Sequence, residues 1–396
     1  MKSSDLEYIF DNMPSYKMNK YPLNIETNTV KQFIEYLNQT EYKFSIKDID
    51  QGLKSIQFQR EDSTPFAVLK NPIYPTNSDI GRKLAINKLK TEKVLKNAGL
   101  LTTNSKLYNY SQKGVAKNNA YKENDADKGV VIKPLNLSLG KGVFVNVIEK
   151  NFFKHWDDCV NVMKKNKRKN GKILVQDFME GFEVRANILE GKLISILARI
   201  PAYVIGNGES TIEELIDVKN KEREQCGYLR KNLIKKSEAV KTFLSNEGLS
   251  FQSIPSENEY VLLISVSNTS LGGEILEITN IVSEETRQLA LNALAAFPSM
   301  YSGGIDIMIK DFDDKEPRVI EINPFPVLAL STYPTYGVPH EPFCYYVGAL
   351  YTRDQLENDL PLTIPNRETF IRNYYKYFLR QQELIKENIA DAINNY

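Results

Sequence analysis

Two stretches of this chain can be satisfied only as antiparallel ribbons. "FEVRANILEGKLISILARIP" (182–201) is apolar on both sides of Glu190-Gly191, and "GGIDIMIKDFDDKEPRVIEINPF" (303–325) is apolar on both sides of a polar, acidic turn. Ile/Val/Leu-rich runs that double back over a short turn read as hairpins. Helical segments such as "FFKHWDDCVNVMKKNKRKNG" and "EETRQLALNALAAF" lie between them. The mixture of helices and hairpins makes the class α+β, and excludes a doubly wound sheet.

The second hairpin carries chemistry. Centring its turn on "DFDDKE" pairs Asp311 with Glu316 and, counting outward, Asp306 with Glu321. Period 2 puts Glu321 and Asn323 on one face, with Ile320 and Ile322 on the other. Directly opposed like charges destabilise a sheet unless something bridges them. Two carboxylates and an amide suit Mg²⁺, with substrate phosphates completing the shell. The competing reading slips the register by one and leaves both acids in solvent at a sheet edge.

A complementary feature is "VVIKPLNLSLGKGV" (130–143), a buried strand that ends in Lys133-Pro134 and enters a glycine-bearing loop with Lys141. Backbone N–H groups of such a loop make a concave anion site, and lysine is a point charge for phosphate. The plainer alternative is a hairpin with a glycine turn and two solvated lysines. Anion loop and cation site together suggest a nucleoside triphosphate. A P-loop is excluded because no G-x-x-x-x-G-K-[ST] occurs, position 135 being leucine before Gly140-Lys141. Neither H-R-D nor D-F-G occurs, and Val145 stands where a dinucleotide fingerprint needs its third glycine.

Elsewhere the patterns are coarser. "IGRKLAINKLKTEKVLKNAGL" (80–100) reads as one amphipathic helix stopped by Gly99, and "EYVLLISVS" as a strand. Ser210 or Thr211 caps a helix with Glu213 and Glu214 in its first turn, and the polar stretch 219–241 is expected to continue as helix. Near the carboxy end, Phe370, Ile371, Tyr374, Phe378, Leu379, Leu384, Ile385 and Ile389 mark a helix face that either packs on its own domain or forms a homodimer. Lys and Arg number 51 against 50 acids, which gives no electrostatic case for nucleic acid or an anionic membrane. No apolar run reaches a membrane span, and the amino terminus lacks a signal-peptide core. Three scattered cysteines and two histidines show no zinc or disulfide spacing. The expected location is cytoplasmic.

At this point the chain resembles the ATP-grasp ligases, in the cyanophycin-synthetase-like and glutathione-synthetase-like branch. The resemblance is carried by "VVIKPLNLSLGKGVFVNV", "ILVQDFMEGFEVRANILEGKLISILARIPAYVIGNGESTIEELIDVKN", "NTSLGGEILEITNIVSEE" and "GGIDIMIK…RVIEINPFPVLALSTYP", in that order from about residue 80 to 345. It implies an amino-terminal α/β domain (1–80), an ATP-grasp domain (81–345, its lid about 106–175 and its catalytic part about 176–345) and a helical tail (346–396). Lys88 and Lys133 would hold ATP phosphates, and the loop with Ser138, Gly140, Lys141 and Gly142 would close over them. Gln176 would meet the adenine amino group, Phe178 and Met179 the adenine edge, and Glu183 the ribose. Asp306, Glu321 and Asn323 match the family's magnesium ligands, with two Mg²⁺ ions expected and Mn²⁺ able to substitute.

The implied reaction phosphorylates a carboxylate with ATP and lets an amine displace the phosphate, giving an amide, ADP and phosphate. Arg185 and Arg199 are the candidates for holding the acyl phosphate or a substrate carboxylate. Some relatives carry arginine two positions before the first metal aspartate; here that position is Gly304, and Arg199 is expected to serve instead. Asn268, Gly272, Gly273 and His340 would line the acceptor side. The partners are small-molecule carboxylates and amines of unspecified identity. A kinase-like phosphotransferase or glutathione-type peptide synthesis are the alternatives. Without a Mur-ligase-like module, a polymerase with two ligation sites is not expected.

Overall fold

The computed structural model describes residues 1–14, 17–37, 44–49, 55–70, 73–122, 129–135, 137, 141–167 and 171–385. Helices α1 (Ser3–Asn12) and α2 (Thr29–Leu37) precede an antiparallel sheet of β1 (Phe44–Asp48), β2 (Ser55–Arg60) and β3 (Pro65–Lys70). Residues before position 80 serve two cores. Leu6, Ile9 and Phe10 of α1 share a cluster with Val184, Ile196 and Ile305, whereas Val30, Phe33, Ile56 and Phe58 join Phe343, Tyr346 and Leu350.

The helix expected over 80–100 is broken. It forms α3 (Asp79–Ile86) and α4 (Lys88–Asn97), separated by Asn87. Asn87 adopts an extended backbone, and its side chain accepts from Lys90 N at 3.1 Å. An asparagine that caps a new helix outcompetes the periodic apolar pattern that would run through it.

Next comes a four-stranded antiparallel sheet in the order β4-β7-β5-β6, from β4 (Ser105–Asn109), β5 (Val130–Pro134), β6 (Phe144–Val147) and β7 (Lys172–Asp177). Helices α5 (Lys113–Lys122) and α6 (Phe152–Lys165) cover one face. There Trp156, Cys159 and Met163 pack on Val130, Ile132, Ile173 and Val175.

The hairpin β8 (Phe182–Leu189) and β9 (Lys192–Ile200) turns at Glu190 and Gly191, both with positive φ (45° and 75°). Gly191 is doubly required, because a Cβ there would stand 2.4 Å from the Tyr377 ring. After β10 (Tyr203–Ile205), α7 (Ile212–Glu224) starts on a Thr211/Glu214 capping box. It ends well short of 241. Gly227 approaches the backbone so closely that a Cβ would lie 1.7 Å from Pro22 O, and a separate α8 (Glu238–Asn246) follows, capped by Ser237.

The segment expected as a long strand supplies only β11 (Tyr260–Leu262), paired with β10. Strand β12 (Glu274–Glu277), α9 (Glu284–Ala295), β13 (Gly303–Ile309) and β14 (Arg318–Asn323) complete an antiparallel sheet in the order β12-β9-β8-β13-β14. The short α10 (Ala329–Thr332), α11 (Pro342–Glu357) and α12 (Arg367–Ile385) close the described chain. α12 packs on its own domain through Phe370, Tyr377 and Gln381, whereas Leu379 and Phe378 face solvent and Ile389 lies outside the described residues.

Candidate functional site

Alternation decides what faces the cleft. Val130, Ile132, Ile173 and Val175 point into the helical layer on the four-stranded sheet, so Val131, Lys133, Leu174 and Gln176 line the sheet's other face. Register brings Val131 opposite Gln176 and Lys133 opposite Leu174. Lys133 is 6% exposed. Burial, and then the charge of Lys88, lowers its pKa to about 8, against the pull of Glu321 and Glu92. Gln176 Oε1 is buried with no hydrogen-bond partner among the described residues.

The five-stranded sheet works the same way. Phe182, Val184, Ala186, Ile305, Ile307 and Ile322 fill the core. Glu183, Arg185, Arg199, Asp306, Glu321 and Asn323 therefore share the other face. Asp306 pairs with Arg185 on one side and with Glu321 on the other, and the second of these pairings was expected from the sequence. Both Arg185 bonds to Asp306, from Nε and Nη2, are 2.5 Å long and buried. Arg199 donates to Glu183 at 2.8 Å and to Ser267 O at 2.8 Å, and lies 4.0 Å from Asp306.

One detail of the hairpin departs from expectation. A bulge shifts the β13/β14 register after Asp306, so that Ile307 faces Val319. Val319 and Ile322 are then the buried residues of β14, and Ile320 leaves the core face it was expected to share with Ile322. The extra residue re-aims the strand while keeping Asp306 against Glu321.

The two carboxylates are not left to repel each other. Arg185 neutralises Asp306, and Lys88 Nζ lies 3.3 Å from Glu321 Oε2. Lys88 opens α4, whose first turn holds no acid. Two lysines, Lys88 and Lys90, at the positive end of a helix oppose the macrodipole, a placement that favours an anion at that end. Glu183 sits between the arginines and Asp306 with 31% of its side chain exposed. Burial, then repulsion from Asp306, raises its carboxyl to about 7 despite Arg199 and Arg185.

Phe178 and Met179 line a cavity of about 780 Å³ with Thr103, Asp177 and Met308. Lys141 is exposed on the turn before β6, and Gly142 has φ 71°. Ser138 and Gly140 lie outside the described residues. Asn268 caps a short turn next to Ser267, whose carbonyl Arg199 binds; Gly272 and Gly273 follow it. His340 sits elsewhere. Its Nε2 is 3.1 Å from Glu277 Oε1 on the far edge strand, three strands from Asp306 and thus roughly 14 Å away. Burial alone would raise the Glu277 carboxyl, but hydrogen bonds from His340 and Thr279 hold it below its ordinary value.

Sequence reasoning passed over Glu92, Asn187, Ser195 and Ser331. Buried Glu92 accepts from Thr103 Oγ1, Ser105 N and Lys96, tying α4 to the start of β4. Asn187 was legible as the next cleft-facing position after Arg185. Asp306, Glu321 and Asn323 offer hard oxygens of the kind a divalent cation takes, with both Asp306 oxygens accepting from Arg185 and Asn323 Oδ1 accepting from Phe325 N. Among the described residues no group of three or more His, Cys, Asp or Glu is placed to hold a metal, so a cation here would draw on the Asn323 amide and on a ligand's oxygens.

These features define a class: an α+β protein whose two antiparallel sheets close on a cleft of buried and half-buried lysines, arginines and carboxylates. The chain belongs to the ATP-grasp family, the ATP-grasp domain matching residues 85–327. Similar curated proteins include the glutathione biosynthesis bifunctional protein GshAB of Clostridium perfringens, 32% identical over 257 residues covering 63% of this chain and 32% of that protein. Cyanophycin synthetase of Synechocystis sp. is 28% identical over 272 residues, 66% of this chain and 29% of that protein. The chain thus spans about a third of the length of these relatives. The crystal structure of a bifunctional glutathione synthetase from Pasteurella multocida shares the fold, with a TM-score of 0.59 at 22% identity, over 82% of this chain and 43% of that one. Among the described residues no helix is long and apolar enough to cross a membrane.

Proposed function

We propose that this protein is an ATP-dependent carboxylate–amine ligase that works through an acyl phosphate. The observation that carries the reading is the meeting of Lys88, Lys133, Arg185 and Arg199 with Asp306 and Glu321 in one cleft. Lys133, and Lys88 at the start of α4, hold the phosphates of ATP. Gln176 Oε1, buried and unpartnered, accepts from the adenine amino group. Phe178 and Met179 border the base, and Glu183 takes the ribose hydroxyls. Asp306, Glu321 and Asn323 hold Mg²⁺, which supplies charge neutralisation to the phosphates when bound.

The γ-phosphoryl passes to a carboxylate oxygen and ADP departs. The amine nitrogen then attacks the acyl carbon, the C–O bond to phosphate breaks, and the amine's proton leaves with phosphate or solvent. Arg199 moves from Glu183 to the developing oxyanion, while Arg185 keeps Asp306 oriented. Lid closure excludes water from the acyl phosphate. The Asn268–Gly273 turn borders the acceptor, with Glu277–His340 at its outer edge. The GshAB relative makes glutathione's component amino acids and dipeptides the first pools to test.

The test incubates purified protein with Mg-ATP and those pools and follows ADP, AMP and phosphate. Amine-dependent ADP and phosphate are expected. AMP with pyrophosphate would overturn the mechanism, and amine-independent ADP with a stable phosphorylated product would make the protein a phosphotransferase.

A further inference from the structure

Strand β12 sends an acid to the apolar side of its sheet. Leu276 and the paired strand's Ile200 face the core, so Glu274 does too, while Ile275, opposite Arg199, faces the cleft. Glu274 is 1% exposed, and Arg223 of α7 is 0% exposed. Glu274 Oε1 accepts from Arg223 Nη1 at 2.9 Å, and Lys219 Nζ stands 3.1 Å from the same oxygen.

A buried ion pair is a poor source of stability, because desolvation of the charges offsets their attraction. What it supplies is fixed geometry, and here the geometry leads to one place. Arg223 Nη2 donates to Asn232 O at 2.7 Å and reaches Gly273 O at 3.4 Å. Three residues earlier on α7, Asn220 exchanges two hydrogen bonds with Ile234, each 2.9 Å long. Ile234 lies against Gly272, where a Cβ would stand 2.7 Å from its Cγ1, and Gly272 holds a φ of 89°. Gly273 N then donates back to Asn268 O at 3.1 Å and closes the turn. The Asn268–Gly273 turn therefore rests on α7.

We propose that Arg223 is a positioning residue for the amine substrate: it fixes Gly273 and, with Asn220, the turn that borders the acceptor. The inference rests on the ligase reading above and deepens it. Arg223 touches no substrate, because its side chain lies on the core side of the sheet. Its effect falls on the second half of the reaction. Phosphoryl transfer to the carboxylate draws on Lys88, Lys133, Arg185 and Asp306, whose partners do not include Arg223.

The experiment separates the two halves with hydroxylamine, a nucleophile too small to need a shaped amine site. Its nitrogen bonds the acyl carbon, the C–O bond to phosphate breaks, a proton passes to solvent, and a hydroxamate is left. Arg223→Lys keeps a charge beside Glu274 and loses the fork, and Asn220→Ala removes the other hold on the turn. In both variants KM for the amine that the parent accepts should rise about tenfold. Hydroxamate formation and the melting shift on adding Mg-ATP should stay at the parent's values. A parental amine KM in both would overturn the proposal and leave the ligase reading intact. An equal fall in amine and hydroxylamine turnover, or a lost Mg-ATP shift, would reduce Arg223 to a structural residue and overturn it too. If Arg223→Lys does not fold, Asn220→Ala decides by the same readings. A parent that yields neither hydroxamate nor amine-dependent ADP would overturn the ligase reading and this proposal with it.

Discussion

Lys133 holds a charge where almost no water reaches it, beside a second lysine, Lys88. Its pKa falls from 10.5 to about 8 on folding. Between those values the unfolded chain binds a proton that the folded chain does not, so stability from this group rises with pH through that window. Below about pH 8 the whole cost of burying the ammonium is present. Lys133→Met should therefore leave melting at pH 7 unchanged or raised, and should abolish most of the melting shift on adding Mg-ATP. A collapsed melting temperature with intact nucleotide binding would return this strand to a plain hairpin. Glu183 gives the opposite slope. Its carboxyl rises from 4.5 to about 7, so the folded state binds the extra proton and stability falls as pH climbs between those values. Glu183→Gln should flatten that part of the pH–stability curve, measured by urea unfolding at closely spaced pH values.

Elements show where the sequence was readable. Both hairpins were legible because alternation and turn chemistry agree, but the count that put Asp306 opposite Glu321 started from an Asp311–Glu316 pairing one residue out of step with the observed Met308–Arg318 pair, and the bulge restores the pairing it gave. The bulge itself was not legible. It swaps Ile320 out of the core in favour of Val319, and an isoleucine looks the same in either place. The Asn87 break was hidden for a similar reason, since apolar spacing continues across it while the cap is one side-chain hydrogen bond. Asn87→Ala should cost about 1 kcal/mol of stability. It should also weaken Mg-ATP binding through loosening of the first turn that carries Lys88. An equal loss of stability with unchanged nucleotide affinity would show that Lys88 does not depend on the cap. For α12, hydrophobicity rightly marked Phe370, Tyr374 and Leu384, but it also marked the exposed Leu379 and Phe378 and left out Tyr377 and Gln381, whose polar ends both reach Met300 O. Counting only apolar residues misses a face that is anchored by hydrogen bonds.

On the scale of the whole molecule, nothing local foretold which core each early segment would join. Phe33 of α2 meets Phe343 of α11 edge to face at 4.8 Å, and Arg60 forks onto Asp354. Phe343→Ala should destabilise the protein by about 3–5 kcal/mol. Limited proteolysis should then cut first within residues 29–74, before the four-stranded or the five-stranded sheet; uniform cleavage would mean the two clusters unfold together. The packing of α1 has a temporal side. Phe10 touches the rings of Tyr203, Tyr260 and Tyr336, all of which leave the ribosome long after it. Its apolar stripe waits uncovered through most of translation, so the pace of maturation is set by a late, long-range closure rather than by the speed at which the helix itself can coil.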